Sequence, residues 1–299
     1  MEQILELLSA RWLIHTDTVV SYIPLLFAFL NGKDDKLAIL NPTAEDKKRA
    51  TPKALAFGQV NTITEYELGD PNIPENSVAV IPIWGPIVPA KSMQLIDCIR
   101  QAEFNPNINS ILFPVNSPGG TIFYLDILSE EIKSTSKPTC AAIMNCCASA
   151  AMWIASAMDY RIATSPMDQV GSIGTMVSIM DFRGLLEKFG IKETQLYADK
   201  SVLKNQAARS LFSEPSDQQP LMDQLNFVNE IFHKAIQDNL NILPASEVFS
   251  GGIYYAQQAI DLNLINEINS LDYAIQYANT QGLIHKGKSQ FNSLKQTKP

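Results

Sequence analysis

Histidine is scarce in this 299-residue chain, which holds three, at positions 15, 233 and 285. His15 falls in an N-terminal appendage and His285 in a polar tail. His233 sits on a long amphipathic segment, far in sequence from the loops discussed below, so a Ser-His-Asp triad is not favoured. Metal ligands are equally sparse: no cluster of His, Cys and carboxylates has the spacing of HExxH or of paired CxxC motifs, and no metal is expected. Neither GxGxxG nor a phosphate-cradling GxxxxGK occurs, and no cofactor is expected. The four cysteines, at 98, 140, 146 and 147, form no CxxC pair. The neighbours Cys146 and Cys147 can hardly bridge each other, which points to a reduced compartment with buried thiols. Basic residues are outnumbered, 23 Lys and Arg against 31 Asp and Glu, giving a net charge of −8. That balance opposes binding to a phosphate backbone, so nucleic acid is not an expected partner.

A secretory signal is also missing: no basic segment, apolar stretch and small-residue cleavage site open the chain, which reads as cytoplasmic. Two uncharged stretches invite a membrane assignment. Thr18 to Asn31 falls short of the roughly 20 apolar residues a bilayer demands and is interrupted by Pro24. Pro138 to Met158 is long enough, but it contains Asn145 and reads as a short strand, a polar turn and a small-residue helix.

What is present is ordinary globular material, 46% apolar and 18% charged, enough to fold around a sizeable core. Residues 1–74 read as a helical N-terminal appendage, with apolar patches at Ile4–Ile14 and Val19–Leu30 and a polar stretch from Gly32 to Ala54. A Pro, Asn and Asp cluster at Pro71–Glu75 marks a boundary. Residues 75–275 form the main domain, and 276–299 a polar, basic tail expected to be mobile. Within the main domain apolar strands alternate with amphipathic helices. The strands are expected at Val78–Gly85, Ser110–Val115, Thr139–Met144, Tyr160–Thr164 and Thr194–Ala198. Helices are expected around Met93–Ile99, Ile122–Ile132, Ala150–Met158 and Phe182–Phe189, with a longer one after Pro215. Such alternation implies an α/β fold with helices packed over a largely parallel sheet.

Two strand-to-helix loops stand out, because open α/β sheets place ligand sites there. Ser117-Pro-Gly-Gly120 can expose consecutive backbone N–H groups at a helix start, which suits an anion or a developing oxyanion. The second loop, Asn145-Cys-Cys-Ala-Ser149, ends in a serine that is either a helix cap or a nucleophile. With histidine disfavoured, a lysine whose amine is neutralised by burial can take the serine proton. Asp199-Lys-Ser-Val-Leu-Lys204-Asn offers Lys200 and Lys204, which composition alone leaves as surface lysines.

The order of these segments resembles the signal-peptide-peptidase A and protease IV family of Ser/Lys peptidases, within the ClpP/crotonase superfamily. The likeness runs from about Val78 to Ile268. Ile81-Pro-Ile-Trp-Gly-Pro-Ile87 is similar to the family's opening strand and Asn116-Ser-Pro-Gly-Gly120 to its SPGG loop. Cys147 to Ala155 resembles the nucleophile segment ASGGYxIA, with Ala150 and Ala151 where the family has glycines. Ala157 to Pro166 is similar to AADxIxAxP, Gly171-Ser-Ile-Gly174 to GSIG, Leu185–Gly190 to a helix ending in KxG, and Gly252–Ile268 to the closing segment. Tyr197 to Asn205 departs from the common G-K-x-K spacing and looks like a variant among phage-related members.

The resemblance implies a ClpP/crotonase-like α/β fold of repeated ββα units and a serine endopeptidase with a Ser/Lys dyad. In it Ser149 is the nucleophile and Lys204 the base, with Lys200 in reserve. Gly119, Gly120 and Ala150 form the oxyanion and substrate-binding backbone. It also implies a protein or peptide substrate and assembly into homo-oligomers. The appendage resembles that of phage capsid-maturation proteases, which suggests capsid or scaffold proteins as partners. An inactive scaffold on the same fold, acyl-CoA chemistry and a membrane-associated signal peptide peptidase are the rival readings.

Overall fold

The computed structural model describes residues 12–14, 43–58, 62–179, 181, 183–188, 190, 192, 194–213 and 215–296. The chain begins with β1 (Trp12–Ile14), α1 (Ala44–Arg49), β2 (Lys53–Phe57), β3 (Ile63–Glu67), β4 (Ser77–Val80) and β5 (Ile83–Trp84). It continues through α2 (Pro89–Phe104), β6 (Ile108–Ser117), β7 (Gly119–Thr121), α3 (Leu125–Ser134), β8 (Thr139–Ala148), α4 (Ala150–Ser156), β9 (Tyr160–Ala163) and β10 (Gln169–Gly171). Beyond these lie α5 (Arg183–Lys188), α6 (Gln206–Leu211), α7 (Gln219–Leu240), a 3-10 turn at Glu247–Ser250, β11 (Ile253–Tyr255), α8 (Ala256–Asp261), β12 (Glu267–Ile268) and α9 (Leu271–Gln296). The successions β4–β5–α2 and β6–β7–α3 are the repeated ββα units expected of the fold.

The central sheet runs β11-β10-β8-β6-β4-β2-β3, with β5 beside the end of β6 and β9 between β8 and β12. Its middle is parallel: β4 with β6, β6 with β8, and β8 with both β9 and β10. Parallel strands are buried on both faces and therefore read as unbroken apolar runs. Alternation within those runs splits the core. Ala79, Ile81, Ile111, Phe113, Ala141 and Ile143 face Leu95, Ile99, Leu128, Met152 and Phe232 from α2, α3, α4 and α7. Val78, Val80, Leu112, Cys140 and Ala142 face Ala274 and Ala278 of α9. Helix α2 starts with Pro89 in its first turn behind an extended Val88, where a missing N–H costs nothing and the fixed φ suits the helix.

Several expectations need correction. The boundary at 74/75 does not separate an appendage from the sheet, because β2 and β3 form a hairpin that continues it antiparallel to β4. Residues 276–296 are not an unstructured tail but most of α9, seated on the sheet through Ala274, Ala278 and Gly282. Gly282 lies so close that a Cβ there would stand 2.3 Å from the Asn109 side chain. No strand forms at 194–198, and Leu196 in its centre is 90% exposed. That run offers too little apolar surface to earn a place in the sheet. The helical patch at Val19–Leu30 and most of Ile4–Ile14 lie outside the described residues, while Trp12–Ile14 is strand β1 rather than helix. Residues 138–158 fold as β8 and α4, and among the described residues no helix is long and apolar enough to cross a membrane.

Candidate active site

Three adjacent parallel strands deliver their C-terminal ends to one rim of the sheet. The pairing sets Ser117 of β6 opposite Cys147 of β8, and Ala148 of β8 opposite Gly171 of β10. The SPGG segment, the serine loop and the GSIG segment, separated in sequence, are thereby side by side. The register between β6 and β8 shifts after Val115, a bulge of the kind that re-aims side chains at a sheet rim.

Ser149 joins β8 to α4 with φ 55 and ψ −118. This region is costly for a residue with a Cβ, by about 1–3 kcal/mol, and persists only where the surroundings impose it. They do so on both sides: the Ser149 N–H donates to the Gly171 carbonyl at 2.8 Å, and the Ser149 carbonyl accepts from Trp153 N–H at 3.0 Å. Its hydroxyl makes no capping bond to the helix. The Oγ is buried without a hydrogen-bond partner, and the residue is 1% exposed. An unsatisfied buried hydroxyl is a cost that capping would have removed, so the helix-cap reading of Ser149 fails. Ala150 and Ala151 are fully buried in the core, so the methyls that replace the expected glycines pack inward.

Beside the serine, α4 packs against β7, which carries Gly119 and Gly120. Ile87 N–H donates to the Gly119 carbonyl at 2.9 Å, and Thr121 N–H to the Ile87 carbonyl at 2.8 Å. A Cβ on Gly120 would sit 1.9 Å from the Ile87 carbonyl oxygen, so only glycine permits this approach. Since neighbouring residues of a strand point their backbone groups to opposite edges, the N–H and C=O of Gly120 face away from Ile87. Gly119 N–H is engaged by Ser117 Oγ at 3.2 Å, which leaves Gly120 as the better placed donor of the two.

The buried carboxylate of Asp168 secures the rim. It accepts from the backbone N–H groups of Asn145 (2.7 Å), Thr164 (2.7 Å) and Ser165 (2.9 Å), tying the serine loop to the turn before β10. Thr175, just beyond GSIG, is held to α7 through Asn229 Oδ1 at 3.0 Å. Trp153 stacks on Phe232 at 5.2 Å, a contact that adds about 0.5–1.5 kcal/mol beyond burial and clamps α7 to the serine helix.

His233 is closer to this rim than its sequence position suggests. Its ring is bonded to the backbone of Ile173 and stands 4.8 Å from Phe249, while Nε2 is buried without a partner. Burial pushes its pKa down, partly opposed by the bond to Ile173. A base with a depressed pKa in the fold binds its proton more readily when unfolded. Its contribution is therefore complete above the unfolded value of about 6.5 and is lost as pH falls through the folded value. Thermal melts from pH 7 down to pH 5 are expected to show a larger drop in Tm for the wild type than for His233→Gln; equal drops would contradict this assignment. His233 is not bonded to Ser149, whose Oγ has no partner.

Lys200 and Lys204 are exposed in the turns that precede α6. Lys204 N–H donates to the Ser201 carbonyl at 3.0 Å, and neither amine is bonded to Ser149 Oγ. Thus Ser149, Ala150, Gly119 and Gly120 are brought together, and the lysines are not. A lysine that sequence reasoning passed over, Lys91, occupies the first turn of α2, four residues after Ile87. Burial lowers its pKa, partly offset by the Cys98 thiol. No sequence motif marks it; only the packing of α2 does.

Residues 131–284, just over half of the chain, match the model of Peptidase family S49. Protease 4 of Haemophilus influenzae is 26% identical over 258 residues, covering 82% of this chain and 40% of that protein. Capsid assembly protease C of Escherichia phage lambda is 26% identical over 216 residues, covering 66% of this chain and 48% of the phage protein. The chloroplastic serine protease SPPA of Arabidopsis thaliana is 25% identical over 200 residues, covering 65% of this chain and 29% of the plant protein. The chain therefore spans less than half the length of each of these three relatives.

Proposed function

We propose, since this chain belongs to peptidase family S49, that it is a serine endopeptidase acting on protein substrates, with Ser149 as nucleophile and Lys204 as general base. The observation that carries this reading is Ser149 itself: a strained backbone at a strand-to-helix turn, an unbonded hydroxyl, and a glycine strand beside it. Ser149 Oγ attacks the scissile carbonyl while a neutral lysine amine takes its proton. The backbone N–H groups of Gly120 and Ala150 hold the oxyanion. The ammonium returns the proton to the leaving amine, which departs and leaves an acyl ester on Ser149. Water, deprotonated by the same amine, then releases the acid and restores the serine.

A neutral amine in this role calls for desolvation, and Lys204 is exposed in the single chain. We assign its burial to assembly of several copies. In support, α7 bears exposed Phe227 and Ile231, one turn apart on the same face, an apolar pair suited to a subunit contact. Capsid or scaffold proteins are the proposed substrates, by similarity to the lambda protease. A cytoplasmic setting accords with Cys98, Cys140, Cys146 and Cys147 all being free thiols.

Lys204→Ala is expected to lower kcat for casein cleavage by about 10²–10⁴-fold, the usual contribution of a general base, whereas Lys200→Ala leaves it within a factor of about three. The reverse pattern would move the base to Lys200. Loss in neither variant, with loss in Lys91→Ala, would move it to α2.

A further inference from the structure

Strand β7 has two edges. Ile87 pairs with one of them, through the Gly119 carbonyl and Thr121 N–H. Against the other lies β1, antiparallel, with Trp12 opposite Thr121, Leu13 opposite Gly120 and Ile14 opposite Gly119. β1 and β7 form a two-stranded sheet of their own, apart from the central one. Leu13 therefore faces the backbone N–H and C=O of Gly120, the groups that point away from Ile87. An open strand edge is a template for an incoming extended chain, and adding a strand is a common way for proteins to hold peptides in extended form. Here the template stands beside the Ser149 helix and is already taken by residues from the same chain.

The geometry points to self-occupation of the peptide site: Trp12–Ile14 fills the edge of β7 on which an extended polypeptide substrate lies, and substrate must displace it. This rests on the peptidase reading above and adds to it a regulatory segment and a mode of substrate binding. While β1 is in place, the Gly120 N–H assigned to the oxyanion faces Leu13 instead of a scissile carbonyl. The pairing is a short strand against a glycine-rich one, and backbone bonds of this kind open and close far more readily than the core. Substrate thus competes with a weakly held strand, and any partner that removes residues 12–14 from the edge raises activity.

The test uses the full-length chain. Leu13→Pro removes the N–H that faces Gly120 and breaks the strand at a point outside the central sheet. Hydrogen exchange of the segment spanning Gly119–Thr121, followed by mass spectrometry, is expected to speed up about tenfold or more in the variant. In a Ser149→Ala background, where no turnover is needed, a fluorescent unfolded casein peptide is expected to bind the Leu13→Pro protein several-fold more tightly. A synthetic peptide of residues 9–17 should restore the protection and displace the casein peptide. Unchanged exchange would show that β1 does not pair with β7 in solution. Faster exchange with unchanged casein affinity would show that this edge is not the peptide site. If casein binds more tightly to the variant but neither Ser149-containing protein cleaves it, the self-occupied edge stands and the peptidase reading falls.

Discussion

Ser149→Ala is expected to reduce casein cleavage by about 10⁴-fold or more, since what remains once a serine nucleophile is removed is binding and oxyanion stabilisation alone. The fold should survive. Ser149 is held by its backbone, through the Gly171 carbonyl and Trp153 N–H, and its hydroxyl makes no bond that the alanine would lose. The same geometry predicts a trade between stability and activity. At φ 55 and ψ −118 a glycine relaxes strain that any side chain suffers, so Ser149→Gly is expected to raise unfolding stability by about 1 kcal/mol while abolishing cleavage. Denaturant titration of the two variants beside the wild type checks this; a Ser149→Gly protein less stable than Ser149→Ala would contradict the strained-turn account.

Gly120→Ala carries the largest expected effect on structure. Its new methyl would stand 1.9 Å from the Ile87 carbonyl oxygen and 2.6 Å from the Ile87 carbonyl carbon and nitrogen. Backbone atoms cannot step aside as a flexible side chain would, so β7 must leave Ile87 and give up two hydrogen bonds. A loss of about 3–5 kcal/mol in unfolding stability is expected, at the severe end for a single substitution. Circular dichroism melts measure it, and a Tm within a few degrees of the wild type would mean that β7 is not packed as described. The neighbouring Gly119 is required for its backbone instead, at φ 101, where a side chain is strained and glycine is not, so the two glycines of SPGG have different jobs.

The parallel strands were legible in the sequence because burial on both faces makes them unbroken apolar runs: Val78–Val80, Ile111–Val115 and Thr139–Ile143 all lie in the sheet. The two loops were legible for the same reason, since each follows such a run. Helix α9 was not. It sits on the sheet through Ala274, Ala278 and Gly282, a stripe of small residues four apart, and small residues give little apolar periodicity even where they allow the closest approach. The β2–β3 hairpin was missed because Ile63–Glu67 is mostly exposed, as an edge strand can be, and so reads as polar linker. Trp12–Ile14 looked helical within a longer apolar patch; its partner, β7, is more than a hundred residues away, and such distant pairing leaves no local mark.

At the site, the two strand-to-helix loops and their resemblance to the Ser/Lys peptidases grouped Ser149 with Gly119 and Gly120, and the sheet accounts for that grouping through the pairing of Ser117 with Cys147. The lysine was a different matter. The lysine segment directly follows the expected strand at 194–198, and without that strand no element of the sheet leads it toward Ser149 in a single chain. His233 shows the converse error: sequence distance set it aside, yet α7 folds back and lays it against Ile173. Helices that cross a sheet bring remote residues to a rim, which spacing along the chain cannot reveal.

The most direct test of the central claim is to treat the purified chain with a fluorophosphonate that reacts with activated serine hydroxyls, and to map the adduct by mass spectrometry. The account predicts a single adduct on Ser149, formed more slowly in Lys204→Ala and faster in Leu13→Pro. A folded chain that takes up no label at Ser149, or takes it up equally well at serines elsewhere, would contradict the assignment of Ser149 as nucleophile.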